Sequence, residues 1–559
     1  MKRGRFVSGS IALSLMLAFG HGAHAAPKAA KAPFMWENAT IYFVLTDRFN
    51  NGDKANDLAY GRKADAAPLR GYMGGDLKGL TAKVKEGYFD SLGVNAIWLT
   101  PPVEQIHAGT DEGTGKSYGF HGYWGRDFTA VDANLGTEQD FRDFVDAAHA
   151  RGIRVVLDVV MNHIGPVTPE DPVWPADWVR LDPVCTHKDT ATTVDCALVA
   201  NLPDVRTDSN ANVALPPALV AKWKAEGRHE REVKELDEFF SRTGYPRAPR
   251  YYLMKWHADW IRKFGVDGFR GDTVKHTEAG VWKELRTVAD AAYEDYKKAN
   301  PGKVLGEKFF TVAEVYNYAI GHGREFDMGA GAKTDFYANG FDSLINFSLP
   351  GDGKGGYESI FGKFDALLHG PLRGKSVLNY MDSHDDGNPF DPARAKPFET
   401  ANKLLLAPGA AQIYYGDETA RRLDIADATG DAKLRSYMNW EELAQNAARD
   451  GYRIADVRAH WSKLGLFRQS HVAIGAGRHA KLADQPYTFS RSYAARGVSD
   501  KVVVALDVPT GKPVDIAVGK VFANGTRLRD AYAGATYTVE NGKVKTAGKA
   551  SVVLLETLR

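Results

Sequence analysis

The chain has 559 residues, 44% of them hydrophobic and 25% charged, a formal charge of +1 and only two cysteines. That length exceeds one compact core, so two or three domains are expected, and the composition excludes collagen-like, disordered and disulfide-scaffold classes. So even a charge balance offers no electrostatic attraction for nucleic acid or an anionic membrane.

The first 25 residues carry Lys2, Arg3 and Arg5, then an apolar run from Ile11 to Phe19, then Ala23-His24-Ala25. A basic start, an apolar middle and a small-residue end make a secretory signal peptide over 1–25, with cleavage expected after Ala25. Losing those three basic residues leaves 68 basic against 70 acidic side chains, a formal charge of −2. No later apolar run approaches the roughly 20 residues of a membrane span. Export also places Cys185 and Cys196 in an oxidising compartment, which favours a loop-closing disulfide over two thiols or a metal pair.

After an Ala-, Lys- and Pro-rich leader, residues 41–46 read as the first strand. The loop that follows is dense in carboxylate and amide oxygens, from Asn51, Asp53, Asn56 and Asp57 to Gly74 and Asp76. A hard cation such as Ca²⁺ wants such oxygens, and a cluster of Asn/Asp/Gly turns has the same composition. Residues 94–99 are an apolar strand, and 137–151 a helix with Thr137 as N-cap, Asp140 in the first turn and Gly152 as stop. The strand at 153–160 delivers Asn162 and His163 at its carboxyl end. Residues 164–250, which hold both cysteines and a charged helical stretch around 218–242, are too long for a loop and read as an inserted domain.

Alternation resumes with a helix over 251–264 and the stretch Gly265 to His276, where Arg270 and Asp272 share one face of a strand. A guanidinium keeps a neighbouring carboxylate ionised, as a nucleophile requires; a purely structural ion pair looks the same. A helix over 278–299 and strands near 309–314, 341–346, 376–382 and 412–415 bring the strand count to eight. Eight alternating units predict an α/β fold, a (β/α)₈ TIM barrel built from 26–163 and 251–469 with the inserted domain after its third strand. Short alternating runs from about residue 470 predict a C-terminal antiparallel β-sandwich domain over 470–559. Barrel active sites lie at the carboxyl ends of the strands, so Asn162, His163, Arg270, Asp272, Glu314, His384 and Asp385 are expected to converge.

Three carboxylates and two histidines at one mouth, without Cys/His metal-ligand spacing or a phosphate-binding glycine loop, suit acid–base chemistry on a neutral polar substrate. Tyr72, Trp98, Tyr118, Tyr123 and Trp124 offer flat platforms for sugar faces. Four stretches then occur in order: Asp158-Val159-Val160-Met161-Asn162-His163, Gly268 through His276, Ala313-Glu314-Val315 and Ser383-His384-Asp385. With His121-Gly122-Tyr123-Trp124 and Leu202-Pro203-Asp204, they resemble the signature motifs of the α-amylase family of retaining glycoside hydrolases, over almost the whole mature sequence.

The resemblance implies endo-acting hydrolysis of α-1,4-glucosidic bonds in maltodextrins or starch, with retained configuration. It implies Asp272 as nucleophile, Glu314 as general acid/base, Asp385 as a third carboxylate gripping sugar hydroxyls, and Arg270 as orienter of Asp272. His121, His163 and His384 would hydrogen-bond the sugar at the cleavage point, Tyr123 would stack on it, and Lys275 and His276 would line the leaving-group side. Two Ca²⁺ sites are implied, one from Asn162, Asp204 and the backbone oxygen of His276. The other would use Asn51, Asp53, Asn56, Asp57, Gly74 and Asp76, as in cyclodextrin glucanotransferase-like relatives. Thr273 and the Lys275-His276 pair follow the α-1,4 rather than the α-1,6 pattern. The stretch Glu104-Gln105-Ile106-His107 is similar to periplasmic members in Gram-negative bacteria, so a periplasmic or secreted monomer acting on soluble dextrins is expected. Gly271 stands where the family usually carries a bulky apolar residue, and is expected to loosen the strand that aims Asp272. An exo-acting or transglycosylating enzyme would use the same groups; a non-catalytic sugar-binding relative would not keep all three acids.

Overall fold

The computed structural model describes residues 1, 32–306 and 308–558. The signal peptide expected over 1–25 lies, apart from Met1, outside the described residues.

Eight parallel strands close into a barrel in chain order: β1 (Thr40–Val44), β2 (Ala96–Leu99), β3 (Arg154–Val159), β4 (Gly268–Gly271), β5 (Phe310–Ala313), β6 (Ser343–Asn346), β7 (Ser376–Asn379) and β8 (Ala410–Tyr414). Closure is made by β1, which pairs with β8 through Thr40↔Ala411 and with β2 through Ile41↔Ala96. All eight strands are buried along their whole length. Strands covered on both faces run apolar without alternation, as Ile-Tyr-Phe-Val and Ala-Ile-Trp-Leu do.

Helices cover the outside, and their ends are set by local chemistry. Asp76 caps helix α1 (Leu77–Glu86), its carboxylate accepting from the Gly79 N–H at 2.6 Å, and Gly87 ends it in a left-handed turn. Thr137 and Asp140 form the expected reciprocal capping box on helix α2 (Glu138–Ala150). The helical stretch expected near 218–242 is two helices, Pro217–Ala225 and His229–Thr243, because Gly227 between them takes a left-handed φ of 70°.

Residues 164–250 leave the barrel after β3. They contain a two-stranded ribbon, Val179–Arg180 against Asp204–Val205, and the expected disulfide between Cys185 and Cys196. Their aromatic residues pack directly on the barrel's helices: Trp178 stacks at 6.1 Å on Trp256 and Trp223 meets the same ring edge-on at 6.2 Å. One continuous apolar cluster therefore holds the insertion against the barrel.

The C-terminal region is a six-stranded antiparallel sheet backed by a two-stranded one. In strand Val498–Leu506, Val502, Val504 and Leu506 join the barrel's apolar cluster, whereas Val503 and Ala505 join Ile516 and Val544 in a second core between the sheets. That period of two makes the unit a sandwich resting on the barrel. Strands Arg478–Ala483, Arg527–Asp530 and Lys543–Thr546 were not expected, because each carries at least two charged residues that face outward. His471, between barrel and sandwich, meets Asp500 at 2.8 Å through Nδ1 and Glu556 at 2.7 Å through Nε2.

Candidate active site

Neighbouring strand ends bring the reacting groups together. Asp272 follows β4, its N–H bonded to Val159 O at 3.0 Å; Glu314 follows β5, its N–H bonded to Gly271 O at 3.0 Å. The ladder thus runs unbroken through Gly271, which pairs with Val159 and Ala313. The expected loosening at Gly271 does not occur. A Cβ there would lie 2.9 Å from Val274 Cγ2, 3.0 Å from Trp282 Cζ3 and 3.2 Å from Phe341 Cζ, so neighbouring side chains already fill the space.

The buried Arg270 guanidinium is the hub. Its Nη1 donates to Asp272 Oδ1 at 2.6 Å and to Asp158 at 3.0 and 3.1 Å, and its Nη2 lies 3.2 Å from Glu314 Oε2. Asp158 also accepts from Trp98 Nε1 at 3.0 Å and from the Tyr123 hydroxyl at 2.8 Å. One cation faces three buried carboxyl groups, and they cannot all ionise. Burial pushes Glu314 well above the ordinary carboxylate range, against the pull of Arg270 and with the added repulsion of Asp272 and Asp385. Burial likewise raises Asp158. Glu314 Oε2 accepts from Thr273 N–H at 2.6 Å as well as facing Arg270, which leaves Oε1 to carry the proton. Thr273 is held at φ 47°, a left-handed conformation costly for a β-branched residue, and that turn points its N–H at Glu314.

Asp385 sits nearer the mouth with 31% of its side chain exposed, 3.6 Å from His384 Nε2. Burial keeps His121, His163 and His384 below the usual histidine range and therefore neutral. His121 Nδ1 accepts from Tyr123 N–H at 3.1 Å, so its proton is on Nε2. Both His163 nitrogens face protein oxygens, Tyr123 O at 3.1 Å and Asn162 Oδ1 at 3.2 Å. The Tyr123 ring lies nearly parallel to His384 at 5.3 Å and to His121 at 5.7 Å. Lys275 Nζ donates to Tyr316 O at 3.3 Å, and His276 Nδ1 donates to Thr193 O at 2.9 Å, leaving Nε2 as an acceptor.

The groups expected as cation ligands form two separate clusters. Asn162 Nδ2 is 2.7 Å from Asp204 Oδ1 and 3.0 Å from His276 O, and Arg180 Nε is 2.8 Å from Asp204 Oδ2. In the amino-terminal loop Asn51 Nδ2 donates to Asp57 Oδ1 at 2.8 Å, while the buried Asn51 Oδ1 and Asn56 Oδ1 have no hydrogen-bond partner. Gly74, at φ 86°, closes that pocket; a Cβ there would sit 2.4 Å from Asn51 Nδ2. Asp76 is occupied by the N–H groups of Gly52, Asp53 and Gly79, and Asp53 pairs with Lys78 at 2.6 Å.

Three neighbours of the reacting groups had no part in positioning them assigned from sequence. Asp158 stood inside a motif, and the alternation of β3, which turns every second residue to one face, marks it as a barrel-interior group. Thr273 gives no signal, since positive φ is unreadable in a threonine. Tyr316, 39% exposed two residues after Glu314, had its signal in that spacing.

A closed parallel barrel with carboxyl groups gathered around one arginine at the strands' carboxyl ends defines an enzyme of the barrel glycoside-hydrolase class. The family profile described as Alpha amylase, catalytic domain, matches residues 43–170. The chain is 36% identical over 534 residues to the periplasmic alpha-amylase of Escherichia coli (strain K12), covering 85% of this chain and 72% of that protein. It is 37% identical over 424 residues to the cyclomaltodextrin glucanotransferase of Bacillus sp. (strain 1011), covering 73% of this chain and about half, 53%, of that protein. The solved alpha-amylase of Geobacillus thermoleovorans, complexed with acarbose, superposes with a TM-score of 0.64 at 23% identity, over 94% of this chain and 99% of that one, a likeness of fold. The chain belongs to the α-amylase family.

Proposed function

We propose that the protein hydrolyses α-1,4-glucosidic bonds in maltodextrins with retained configuration, Asp272 acting as nucleophile and Glu314 as acid and then base. The observation that carries this reading is the sharing of Arg270 between Asp272 and Glu314, whose carboxyl burial pushes well above the ordinary carboxylate range. Glycoside cleavage with retention needs one ionised carboxylate to attack the sugar and one protonated carboxyl to release the leaving oxygen. Glu314 Oε1 gives its proton to the leaving oxygen while Asp272 bonds the anomeric carbon. Glu314 then takes a proton from water, which displaces Asp272. Asp385 and the Nε2–H of His121 would hold hydroxyls of the reacting sugar. Lys275 and the His276 Nε2 acceptor would meet the leaving chain. The names of the two curated relatives support an α-1,4-glucan substrate, and the glucanotransferase among them supports transglycosylation as a second outcome at the same site.

Two calcium sites fit the residues present. A neutral His163 that donates from Nε2 to Tyr123 O must accept at Nδ1, which asks Asn162 to turn its NH₂ toward it. The Asn162 oxygen then faces Asp204 Oδ1 and His276 O, and three converging oxygens call for a hard cation. In the amino-terminal loop the two orphaned amide oxygens of Asn51 and Asn56, with Asp57 and the Gly74 cradle, make the same demand; Asp53 and Asp76 stand behind them. Ca²⁺ bound there would tie the insertion and the loop to the barrel. Among the described residues no helix is long and apolar enough to cross a membrane. The periplasmic relative supports a periplasmic or secreted protein, which we take to be monomeric. The test is the purified pair Asp272→Asn and Glu314→Gln. Both should keep the parent's melting profile and lose maltoheptaose hydrolysis by at least about a hundredfold; parent-like turnover in either would end the assignment.

A further inference from the structure

We propose that the disulfide-closed loop 185–196 carries a specificity-determining residue, His187, which contacts the leaving chain one sugar beyond Lys275 and His276. The inference rests on the reading of Asp272 and Glu314 given above.

The loop is cross-linked within itself and bonded to His276. Its ends are joined by the disulfide and by the Cys185 N–H bond to Ala197 O at 2.9 Å. Within it the N–H groups of Thr186 and His187 both donate to Thr192 O at 3.1 Å, and those of Lys188 and Asp189 to Thr192 Oγ1 at 3.0 and 3.1 Å. Thr193 O receives the His276 Nδ1–H, so the loop fixes that ring's tautomer. His187, at φ 55°, turns its exposed ring to lie edge-on to His276, with centroids 5.3 Å apart.

A second arm meets the loop. The hairpin Phe326–Gly329 and Ala332–Thr334 follows β5, and Gly329, at φ 89°, approaches so closely that a Cβ would sit 2.4 Å from Lys188 O. The Phe326 ring lies 5.9 Å, and the Tyr316 ring 5.4 Å, from Lys275 Nζ. Lys275 and His276 thus have the loop on one hand and the hairpin on the other, and under the proposed roles the chain leaving Glu314 runs along them. His187 is the loop's imidazole there. An imidazole with one protonated nitrogen offers a donor and an acceptor, the pairing a sugar diol needs.

The experiment compares parent, His187→Ala, His187→Gln and Gly329→Val on two substrates: reducing-end-labelled maltoheptaose, and an aryl maltooligoside whose aryl group fills only the first leaving-group position. His187→Ala should lose about tenfold in kcat/KM on maltoheptaose, the worth of one hydrogen bond, and shift cleavage toward bonds that release shorter labelled fragments. Its rate on the aryl substrate should match the parent, and His187→Gln should recover most of the loss. Gly329→Val, which pushes the two arms apart, should shift cleavage in the same direction. An equal loss on both substrates, or an unchanged cleavage pattern in His187→Ala, would overturn the proposal. Failure of the parent itself to cleave either substrate would instead overturn the underlying reading of Asp272 and Glu314.

Discussion

Replacing Gly271 by the bulky apolar residue usual in the family should weaken this protein. A Cβ at 271 meets Val274 Cγ2 at 2.9 Å and Trp282 Cζ3 at 3.0 Å. Trp282 cannot yield: it is buried, and its Nε1–H is bonded to Val274 O at 3.0 Å. For Gly271→Ala, the overlap is offset by the roughly 0.4–1 kcal/mol gained from a stiffer unfolded chain, so the net change should stay within about 1 kcal/mol. Leu adds three more carbons where Phe341 already stands 3.2 Å away, and overpacking of this kind costs about 1–3 kcal/mol. The strain falls one residue before Asp272, and a displacement of about 1 Å there is worth on the order of a hundredfold in rate. Half-inactivation temperature and kcat on maltoheptaose, measured for both variants, separate the two effects. Gly271→Leu should lower both, and Gly271→Ala should change either only slightly. A Gly271→Leu variant as stable and as fast as the parent would refute the packing reasoning.

Four further outcomes follow from the same contacts. Glu314→Gln should lose about 10²–10⁴ in kcat on glucans but far less on a maltosyl fluoride, whose leaving group needs no proton; equal losses on both would deny Glu314 its acid role. Because burial raises Glu314, its acid form is complete below that raised pKa and disappears as pH rises through it, so kcat/KM should keep its alkaline limb above the ordinary carboxylate range. Chelation should remove two Ca²⁺ per chain by elemental analysis and lower the half-inactivation temperature, and the double variant Asn51→Ala/Asp57→Ala should retain only one. At His471 burial opposes the charge, but hydrogen bonds to Asp500 and Glu556 outweigh it and raise the pKa. Its stabilisation is therefore complete below the unfolded value of about 6.5 and is lost as pH rises through the folded value, so His471→Gln should flatten the alkaline fall in thermal stability.

The barrel was legible in sequence because strands covered on both faces must be apolar throughout, and 94–99 and 153–160 could be little else. The capping box at Thr137 and Asp140 was legible for a similar reason, since capping chemistry is local. The helical break at Gly227 and the outer sandwich strands were harder: Lys543–Thr546 presents only Val544 and Thr546 to the core, too short a pattern to stand out. Within the site, strand ends named Arg270, Asp272 and Glu314, but not the division of labour among them. That division depends on how many carboxyl groups share one guanidinium, and Asp158 enters that count from 112 residues away. Thr273's left-handed turn and the meeting of Gly329 with Lys188 are likewise products of tertiary packing, which no local pattern encodes.

A nucleophilic Asp272 paired with a proton-donating Glu314 fixes the anomer of the first products from maltoheptaose, which proton NMR reads. Sugars released initially as α-anomers, before mutarotation, are predicted. Products appearing first as β-anomers would contradict the two-step mechanism and with it the role given to Asp272.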